Sequence, residues 1–395
     1  MTGTNLAIED VAADWRQGGF GLYVHWPFCA AKCPYCDFNS HVVATVDQPR
    51  WAAALSAEIA RLGAELPGRH LGSIFFGGGT PSLMAPETVD QVLRAARAAW
   101  GFANDIEITL EANPTSVEQG RFRAYADAGI NRLSMGVQAL KDEDLRRLGR
   151  MHSVAEARAA FDVARSCFDR VSFDLIYARQ GQTAGDWRNE LREALNMAVD
   201  HLSLYQLTIE PETAFGARAA AGKLRDLPDE DVSADMYLET QDICAGFGMA
   251  GYEISNHARP GSESRHNLVY WRQGDWTAVG PGAHGRMTLP EGRVATEAYR
   301  APGAWLEAVE RKGSGESLRD VLAQDEMATE YLLMSMRLSE GMDEARYARL
   351  AGLGPDREKM TELEELGMIR RRDGRIIATD SGRPLLNAIL RELAA

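Results

Sequence analysis

Six short β-rich runs, most of them followed by a loop and a helical pattern, constrain the fold more than any other feature of this sequence. Between the runs, apolar residues recur at three- and four-residue spacing, as in residues 51–66 and 86–100, and this spacing predicts helices. Repeated alternation of this kind predicts an α/β fold with a parallel sheet, either open and doubly wound or barrel-like. Six units fall short of the eight that close a complete barrel. The runs span residues 21–26, 73–77, 106–112, 132–137, 171–177 and 201–207.

The pattern changes after about residue 285. Residues 330–343 carry a helical apolar stripe, and a helix, a hairpin turning at Asp373 and Gly374, and a final helix follow. This order predicts a small, mainly helical domain with a winged-helix-like end. A chain of 395 residues is long enough for two or three domains. We expect a flexible N-terminal tail over 1–19, a partial barrel over 20–250, a site segment over 251–290 that carries the His-Asn-x-x-Tyr-Trp and Gly-Ala-His-Gly motifs, and a C-terminal helical domain over 291–395.

The charge of the chain argues against one class of partner. The formal net charge is −14 and the isoelectric point about 5.2, whereas nucleic acids attract basic surfaces. The arginines at 370–372 form only a short cluster. No stretch approaches the ~20 apolar residues of a membrane span, and residues 1–19 lack the apolar run of a signal peptide. We expect a cytoplasmic protein with no nucleic-acid partner and no transmembrane segment.

Three of the five cysteines lie in one eight-residue loop, CAAKCPYC, directly after the first β-rich run. Clustered thiols in a reducing compartment indicate a metal rather than disulfides. The other two, Cys167 and Cys244, stand alone in helical stretches, where we expect them to pack in the core. Two metal sites fit the loop. One is zinc, with His25 or His41 as the fourth ligand; the other is a [4Fe–4S] cluster with one iron left without a protein ligand.

Other motifs end the following β-rich runs. GGGTPS (77–82) ends the second run, EANP (111–114) the third and GVQ (136–138) the fourth, and Asp174 lies within the fifth. In parallel α/β folds the loops at the carboxyl ends of the strands share one face, where active sites lie. The motifs are therefore predicted to converge with the cysteine loop at one mouth of the sheet.

CAAKCPYC resembles the Cys-x3-Cys-x2-Cys signature of the radical S-adenosylmethionine (SAM) enzymes. The resemblance implies a partial (β/α)6 barrel in which Cys29, Cys33 and Cys36 hold a [4Fe–4S] cluster. It also implies that SAM binds the iron without a protein ligand. In that family the reduced cluster cleaves the SAM sulfonium to a 5′-deoxyadenosyl radical, so the resemblance also implies a reducing electron donor as a partner.

Within that family the chain is similar to the oxygen-independent coproporphyrinogen III oxidase branch, and this similarity implies a set of SAM-contacting positions. Their residue types suit the ligand: glycine lets backbone groups approach closely, carboxylates suit its cationic and hydroxyl groups, and arginine can grip its carboxylate through two hydrogen bonds. The implied positions are Tyr23, Gly78, Gly79, Thr80, Glu111, Gln138, Arg150 and Asp174.

The stretch RHNLVYW (265–271) resembles the His-Asn-x-x-Tyr-Trp pattern of the HemW-type haem chaperones, which bind haem and pass it to client proteins such as respiratory haemoproteins. Histidine is a common axial ligand of haem iron, and aromatic rings offer flat apolar surface to a macrocycle. A buried, hydrogen-bonded histidine within an aromatic core is the competing interpretation. The implied haem residues are His266, Asn267, Tyr270 and Trp271.

Three further positions bear on the choice within the branch. Phe38 stands where the oxidase pattern has an additional cysteine. His284 lies in GPGAHG (280–285). We expect this loop mainly to shape the neighbouring backbone, with a role for His284 as a second group beside haem as the alternative. Ala178-Arg179-Gln180 replaces the Gly-Leu-Pro-type segment that usually follows the fifth strand, and we expect Arg179 and Gln180 to alter the contacts of that loop.

These observations favour a haem chaperone that carries a [4Fe–4S] cluster and SAM, with client haemoproteins as partners and a homodimer as one possible assembly. Three alternatives stay open on the sequence alone. The first is oxidative decarboxylation of coproporphyrinogen III, the second is a radical SAM methyltransferase, and the third, outside the family, is a zinc-stabilised α/β binding protein.

Overall fold

A computed structural model describes residues 13–394, apart from the side chains of residues 116 and 117. Of the tail predicted over 1–19, residues 1–12 lie outside the described residues. Asp14–Gln17 forms a 3-10 helix, and the buried Asp14 carboxylate pairs with Arg346 at 2.7 Å. This part of the predicted tail therefore packs against the body of the protein.

The strands carry the labels β1 to β17 in chain order. They are β1 (Phe20–Trp26), β2 (Phe28–Cys29), β3 (His41–Val42), β4 (Leu71–Gly78), β5 (Phe102–Ala112), β6 (Arg132–Gln138), β7 (Arg170–Tyr177), β8 (His201–Gln206), β9 (Ala250–Gly251), β10 (Asn256–Ala258), β11 (Asp275–Val279), β12 (His284–Leu289), β13 (Gly292–Ala298), β14 (Glu316–Val321), β15 (Met342–Asp343), β16 (Ile369–Arg372) and β17 (Arg375–Ala378).

The α-helices carry the labels α1 to α15, and short 3-10 turns lie at Pro81–Leu83 and Arg383–Leu385. They are α1 (Gln48–Glu65), α2 (Pro86–Trp100), α3 (Ser116–Gln119), α4 (Phe122–Ala128), α5 (Asp142–Arg147), α6 (Val154–Cys167), α7 (Ala184–Met197), α8 (Ala214–Ala220), α9 (Glu230–Gly246), α10 (Arg265–Trp271), α11 (Pro302–Lys312), α12 (Gln324–Ser335), α13 (Glu344–Ala351), α14 (Arg357–Glu365) and α15 (Leu386–Ala394).

The six predicted strands are β1, β4, β5, β6, β7 and β8, and they lie side by side in a parallel array. The α/β class is confirmed, and the curved parallel part is consistent with a partial barrel. A further strand, β11, pairs in parallel with β1, and antiparallel strands then extend the array beyond β11 on one edge and beyond β8 on the other. Among the described residues this gives one sheet of 12 strands in the order β14-β13-β12-β11-β1-β4-β5-β6-β7-β8-β10-β9.

Alternation along the parallel strands separates an apolar outside from a polar inside. In β7, Val171, Phe173 and Leu175 belong to the main hydrophobic core, while Ser172 and Asp174 point to the opposite face because side chains alternate across a strand. The helices cover the apolar face. The polar face is therefore left to line the interior of the barrel, where the motifs of the strand ends meet.

The domain boundary predicted at residue 290 falls inside the sheet. Strands β13 and β14 continue it, and Val294 and Trp305 belong to the core of the barrel. A separate core begins at Ala328 and runs to Leu393. The predicted boundary is too early because β14 is mostly exposed and shows no clear apolar alternation.

The C-terminal part has the predicted winged-helix-like elements. Its helices surround a three-stranded sheet in the order β15-β17-β16. The hairpin turns at Asp373 and Gly374, whose φ angles are 52° and 73°, as a type I′ turn requires. Among residues 13–394, no helix has the length and apolar character needed to cross a membrane.

Candidate cofactor site

The cysteine loop begins on β2 and lies across the carboxyl ends of the parallel strands. The Cys29 thiol accepts a hydrogen bond from Thr80 Oγ1 and the Cys33 thiol accepts one from Arg150 Nη1, each at 3.4 Å. Cys36 closes a turn through its backbone N–H to the Cys33 carbonyl at 3.2 Å. All three thiols are free. Donors directed at sulfur stabilise thiolates, so the loop fits an iron–sulfur cluster.

The same geometry does not favour the zinc alternative. Within residues 13–394, no group of three or more His, Cys, Asp or Glu side chains is arranged to hold one metal ion. The ring of His25 is engaged at both nitrogens, with Tyr23 Oη at 3.1 Å and the Asn39 carbonyl at 2.9 Å. His41 bonds the Asn39 side chain at 3.2 Å. His25 therefore has no nitrogen left for a tetrahedral zinc site, and His41, which is bonded only through Nε2, is not grouped with the thiols around one point.

The GGGT segment that ends β4 is held against the cysteine loop by backbone contacts. Gly79 N–H donates to the Trp26 carbonyl at 2.7 Å and Thr80 N–H to the Phe28 carbonyl at 2.9 Å. Gly78 has φ 110°, and a Cβ on Gly79 would lie 2.8 Å from the Phe28 carbonyl oxygen. Only glycine allows this approach. The segment therefore presents bare backbone beside the thiols, as a cofactor cradle needs.

Arg150 connects the cysteine loop to the ends of β5 and β6. Besides its contact with Cys33, it donates to Asn113 Oδ1 and to the Gly136 carbonyl, the latter at 2.8 Å. Its Nε is buried and has no partner. Arg150 thus contacts one thiol directly and has an unsatisfied Nε, a donor of the kind that binds carboxylates.

Glu111 and Asp174 are two carboxyl groups in the barrel interior. Both are partly accessible to solvent, yet burial and the nearby Asp174 raise the pKa of Glu111 to about 8. Burial raises the pKa of Asp174 to about 6, although Ser203 and Ser134 bond its charged form. Two carboxylates that repel each other favour a cationic or hydroxyl-rich ligand between them. The pair therefore fits the sulfonium, amine and ribose groups of SAM.

Gln138 and Tyr23 complete the predicted set. Gln138 has φ 72° at the end of β6, a strained conformation that a non-glycine residue rarely adopts and that is enriched at functional sites. Burial, followed by the charge of Glu111, raises the pKa of Tyr23. Its hydroxyl therefore lies within electrostatic reach of the carboxyl pair. Tyr23 and Asp174 lie within β1 and β7, and Arg150 follows α5. The other predicted SAM positions lie at or just beyond the ends of β4, β5 and β6; they are Gly78, Gly79, Thr80, Glu111 and Gln138.

The RHNLVYW stretch forms α10 and closes the opposite end of the barrel. Glu107, early in β5, accepts from the Arg265 N–H at 3.0 Å, as suits an anion at a helix N-terminus. His266 Nδ1 lies 2.9 Å from Ser73 Oγ and Nε2 lies 2.6 Å from Tyr270 Oη. The ring stacks on Phe75 with centroids 5.3 Å apart.

His266 is therefore enclosed rather than presented to a ligand. The residue is 1% exposed, and burial lowers the pKa of its imidazole to about 3, so it is neutral with both nitrogens engaged. Asn267 and Trp271 point elsewhere: Asn267 bonds Tyr252 Oη at 3.4 Å, and Trp271 packs with Tyr252 and Leu338. The structure brings His266 and Tyr270 together and separates them from the other two predicted haem residues.

The GPGAHG loop has the shape-setting geometry that the sequence suggests. A Cβ on Gly280 would lie 2.2 Å from the His25 carbonyl oxygen, and one on Gly282 would lie 2.6 Å from Asn39 Nδ2. The loop thus supports the segment that carries the cysteines. His284 itself is exposed and lies 3.6 Å from Glu297.

The chain is similar to known proteins along most of its length. A family model described as the Radical SAM superfamily matches residues 23–194, and one described as the HemN C-terminal domain matches residues 322–385. An Escherichia coli relative named heme chaperone HemW is 37% identical over 93% of this chain and 96% of its own length. The chain belongs to the HemW family of radical SAM proteins.

Two other similarities extend this result. A Bos taurus relative named radical S-adenosyl methionine domain-containing protein 1, mitochondrial, is 39% identical over 88% of this chain and 81% of its own. The solved structure of E. coli coproporphyrinogen III oxidase (HemN) aligns with a TM-score of 0.81 over 99% of this chain and 93% of that chain, at 23% identity. That likeness shows a shared fold.

The departure at Ala178-Arg179-Gln180 now has a structural account in this HemW-family chain. Arg179 is buried and pairs with Glu190 at 2.6 Å and Asp144 at 2.8 Å. The loop after β7 is therefore clamped between α5 and α7 by an internal ion-pair network. Its arginine supports the scaffold and does not face the interior of the barrel.

Two residues of the site were not singled out from the sequence. Asn113 Oδ1 accepts a hydrogen bond from Arg150, and Asn113 Nδ2 donates one to Thr80 Oγ1 at 3.3 Å. The EANP motif, which also contains Glu111, is the sequence feature that could have identified it. Tyr205, near the end of β8, is 42% exposed, yet the surrounding protein and the charge of Asp174 raise the pKa of its hydroxyl. A tyrosine in a strand of mixed polarity gave no comparable signal.

Proposed function

We propose that this HemW-family chain is a haem chaperone that binds haem and delivers it to client haemoproteins, including those of the respiratory chain. The observation that carries the proposal is the similarity to a relative named heme chaperone HemW, which is 37% identical over nearly the whole length of both chains. This supports the chaperone over coproporphyrinogen III oxidation and over methyl transfer. Phe38, in place of the oxidase's additional cysteine, agrees with it.

The proposed resident cofactors are a [4Fe–4S] cluster on Cys29, Cys33 and Cys36, and SAM on the interior residues described above. A [4Fe–4S] cluster held there would supply one-electron reduction chemistry to a bound sulfonium. The chain's own residues do the positioning: Thr80 and Arg150 donate to sulfur, and the glycines of GGGT let the ligand approach the backbone.

We also propose a reducing electron donor, a cytoplasmic location in keeping with the free cysteines, and a homodimer as an assembly to test by light scattering.

Haem ligation by His266 has a structural requirement. The imidazole must first leave Ser73 and Tyr270, since both ring nitrogens are bonded, and α10 must open from the barrel floor. Each hydrogen bond stabilises the closed form by about 0.5–1.5 kcal/mol net. Removing the Tyr270 hydroxyl should therefore make His266 more available.

A haem titration followed at the Soret band tests the proposal, with the wild-type, His266→Ala and Tyr270→Phe proteins compared after anaerobic reconstitution. We expect stoichiometric binding by the wild type, loss of binding in His266→Ala, and haem affinity higher by about 2- to 10-fold in Tyr270→Phe, the equivalent of one hydrogen bond. No specific binding by the wild type would contradict the chaperone.

If a folded His266→Ala protein kept its affinity for haem, the haem site would lie elsewhere in the molecule and the proposed function would still hold. A cleft of about 820 Å³ between the barrel and the C-terminal part is then the place to look, since its wall combines apolar residues such as Leu207 and Ile209 with Arg337 and Arg383. Apolar walls with a few charged groups are typical of ligand sites of this size.

A further inference from the structure

We propose that the surface over Cys33 and Cys36 is the docking site of a small acidic electron-carrier protein that reduces the cluster. The inference rests on the proposed cluster but goes beyond haem delivery, because it assigns residues to the electron donor. Lys32, Arg146 and Arg218 are the side chains that would receive the carrier.

A cleft of about 580 Å³ opens beside two of the three thiols. Cys33 and Cys36 are part of its wall and are half-buried. Cys29, by contrast, is only 8% exposed, behind its contact with Thr80. The Cys33–Cys36 side is thus the more accessible approach to the thiols, and an electron arriving from a partner protein has its shortest path there.

The wall of this cleft is strongly basic on a chain that is acidic as a whole. Lys32, Arg146, Arg147 and Arg218 supply four positive charges, against the single carboxylate of Glu212. The net charge of the entire chain is −14. The cleft is therefore a positively charged patch on a negatively charged protein, and such a patch attracts and orients an acidic partner.

Most of these cations are not neutralised internally. Arg147 pairs with Glu143 at 2.6 Å, but within residues 13–394 no ion pair engages Lys32, Arg146 or Arg218. All three are exposed. They are therefore available to a partner's carboxylates.

Exposed apolar side chains flank the same loop. Phe38 and Val42 are each 57% exposed, Val43 39% and Met151 74%. Phe38 and the two valines follow Cys36 closely, while Met151 adjoins Arg150, which contacts Cys33. Apolar groups beside a charged rim are the composition of a protein–protein interface.

An acidic redox protein fits these features better than a nucleic acid. A nucleic acid needs an extended basic face, whereas this basic patch is confined to one cleft and adjoins an apolar rim.

The proposed reaction transfers a single electron: the carrier is oxidised by one electron and the cluster is reduced by one. Transient redox complexes have small interfaces, which a patch of this size can supply.

The test uses the full-length reconstituted protein and a reduced acidic flavodoxin as the carrier. Stopped-flow absorbance gives the rate of cluster reduction for the wild type, for Arg146→Glu/Arg218→Glu, and for Arg165→Glu, an exposed arginine on α6. Iron content and the extent of reduction by dithionite are measured first. Haem affinity is measured in parallel.

The double variant is expected to be reduced by flavodoxin about tenfold or more slowly, with iron content, dithionite reduction and haem affinity as in the wild type. Arg165→Glu should match the wild type. The wild-type rate should also fall steeply as salt rises from 0.05 to about 0.5 M, because the attraction is screened.

An unchanged flavodoxin rate in the double variant, or a wild-type rate that salt does not alter, would overturn the proposal. Loss of haem affinity with an unchanged flavodoxin rate would also overturn it and would assign the arginines to the propionates of haem. A wild-type protein that takes up no iron would remove the cluster assignment and this proposal together, leaving the haem titration to decide the chaperone function separately.

Discussion

Glu111 and Asp174 show how burial sets the chemistry of single residues. Their pKa values, about 8 and about 6, lie above the ordinary 4.5 and 3.8 of these groups. A carboxyl group with a raised pKa binds its proton more tightly in the folded than in the unfolded chain. The free energy of unfolding therefore falls as pH rises from the ordinary value through the folded value.

Glu111→Gln should raise the melting temperature of the SAM-free protein at pH 8.5 and change it little at pH 5, because glutamine resembles the protonated acid. The expected gain is about 2 °C or more, and SAM affinity should fall. Thermal denaturation at both pH values and calorimetry with SAM measure these effects. An equal shift at both pH values would contradict the account; the exposed Glu310→Gln is the control and should show no gain at pH 8.5.

His266 shows which part of a site a sequence can predict. The cysteines and the glycines of GGGT were predicted because their spacing within one short loop already limits the chemistry. The surroundings of His266 depend on Ser73, which is 193 residues away in the chain. The motif identified the residue but could not reveal that both of its nitrogens are engaged.

At the scale of elements, the six strands of the βα repeat and the C-terminal hairpin were predictable, whereas the strands added at the edges of the large sheet were not. Each parallel strand has an apolar outer face such as that of Val171, Phe173 and Leu175, which gives a recognisable run. The strand β14 is exposed along most of its length. Its place in the sheet comes from pairing with β13, which no local pattern encodes.

The loop after β7 carries a prediction at this scale. Arg179→Met should lower the free energy of unfolding by about 3–5 kcal/mol, because it leaves Glu190 and Asp144 facing each other without their cation. Urea denaturation followed by circular dichroism measures the loss. The double change Arg179→Met/Glu190→Met should recover much of it. A loss below about 1 kcal/mol in the single variant would show that the network does not clamp the loop.

At the scale of the whole molecule, a buried ion pair joins the N-terminal 3-10 helix to the C-terminal part. Arg346, on α13, meets Asp14 at 2.7 Å, with side-chain exposures of 4% and 10%. It also donates to the Arg272 carbonyl at 2.7 Å. The C-terminal part is thereby tied to the barrel and to the segment that ends α10.

Breaking this tie should destabilise the entire fold. Arg346→Met is expected to lower the free energy of unfolding by about 3–5 kcal/mol, since Asp14 stays buried without a partner. Arg372→Ala, which removes an ion pair whose side chains are 74% and 84% exposed, is the matched control and should cost less than about 1 kcal/mol. Equal losses in the two variants, measured by urea denaturation, would contradict this assignment.

The central claim is that the chain delivers haem. The most direct measurement mixes the haem-loaded protein with the haem-free form of a respiratory cytochrome b domain and follows the Soret band of the acceptor. Transfer faster than the release of haem into buffer, with no consumption of coproporphyrinogen III under reducing conditions with SAM, is the predicted result. Conversion of coproporphyrinogen III to protoporphyrinogen IX without transfer of haem would contradict the claim.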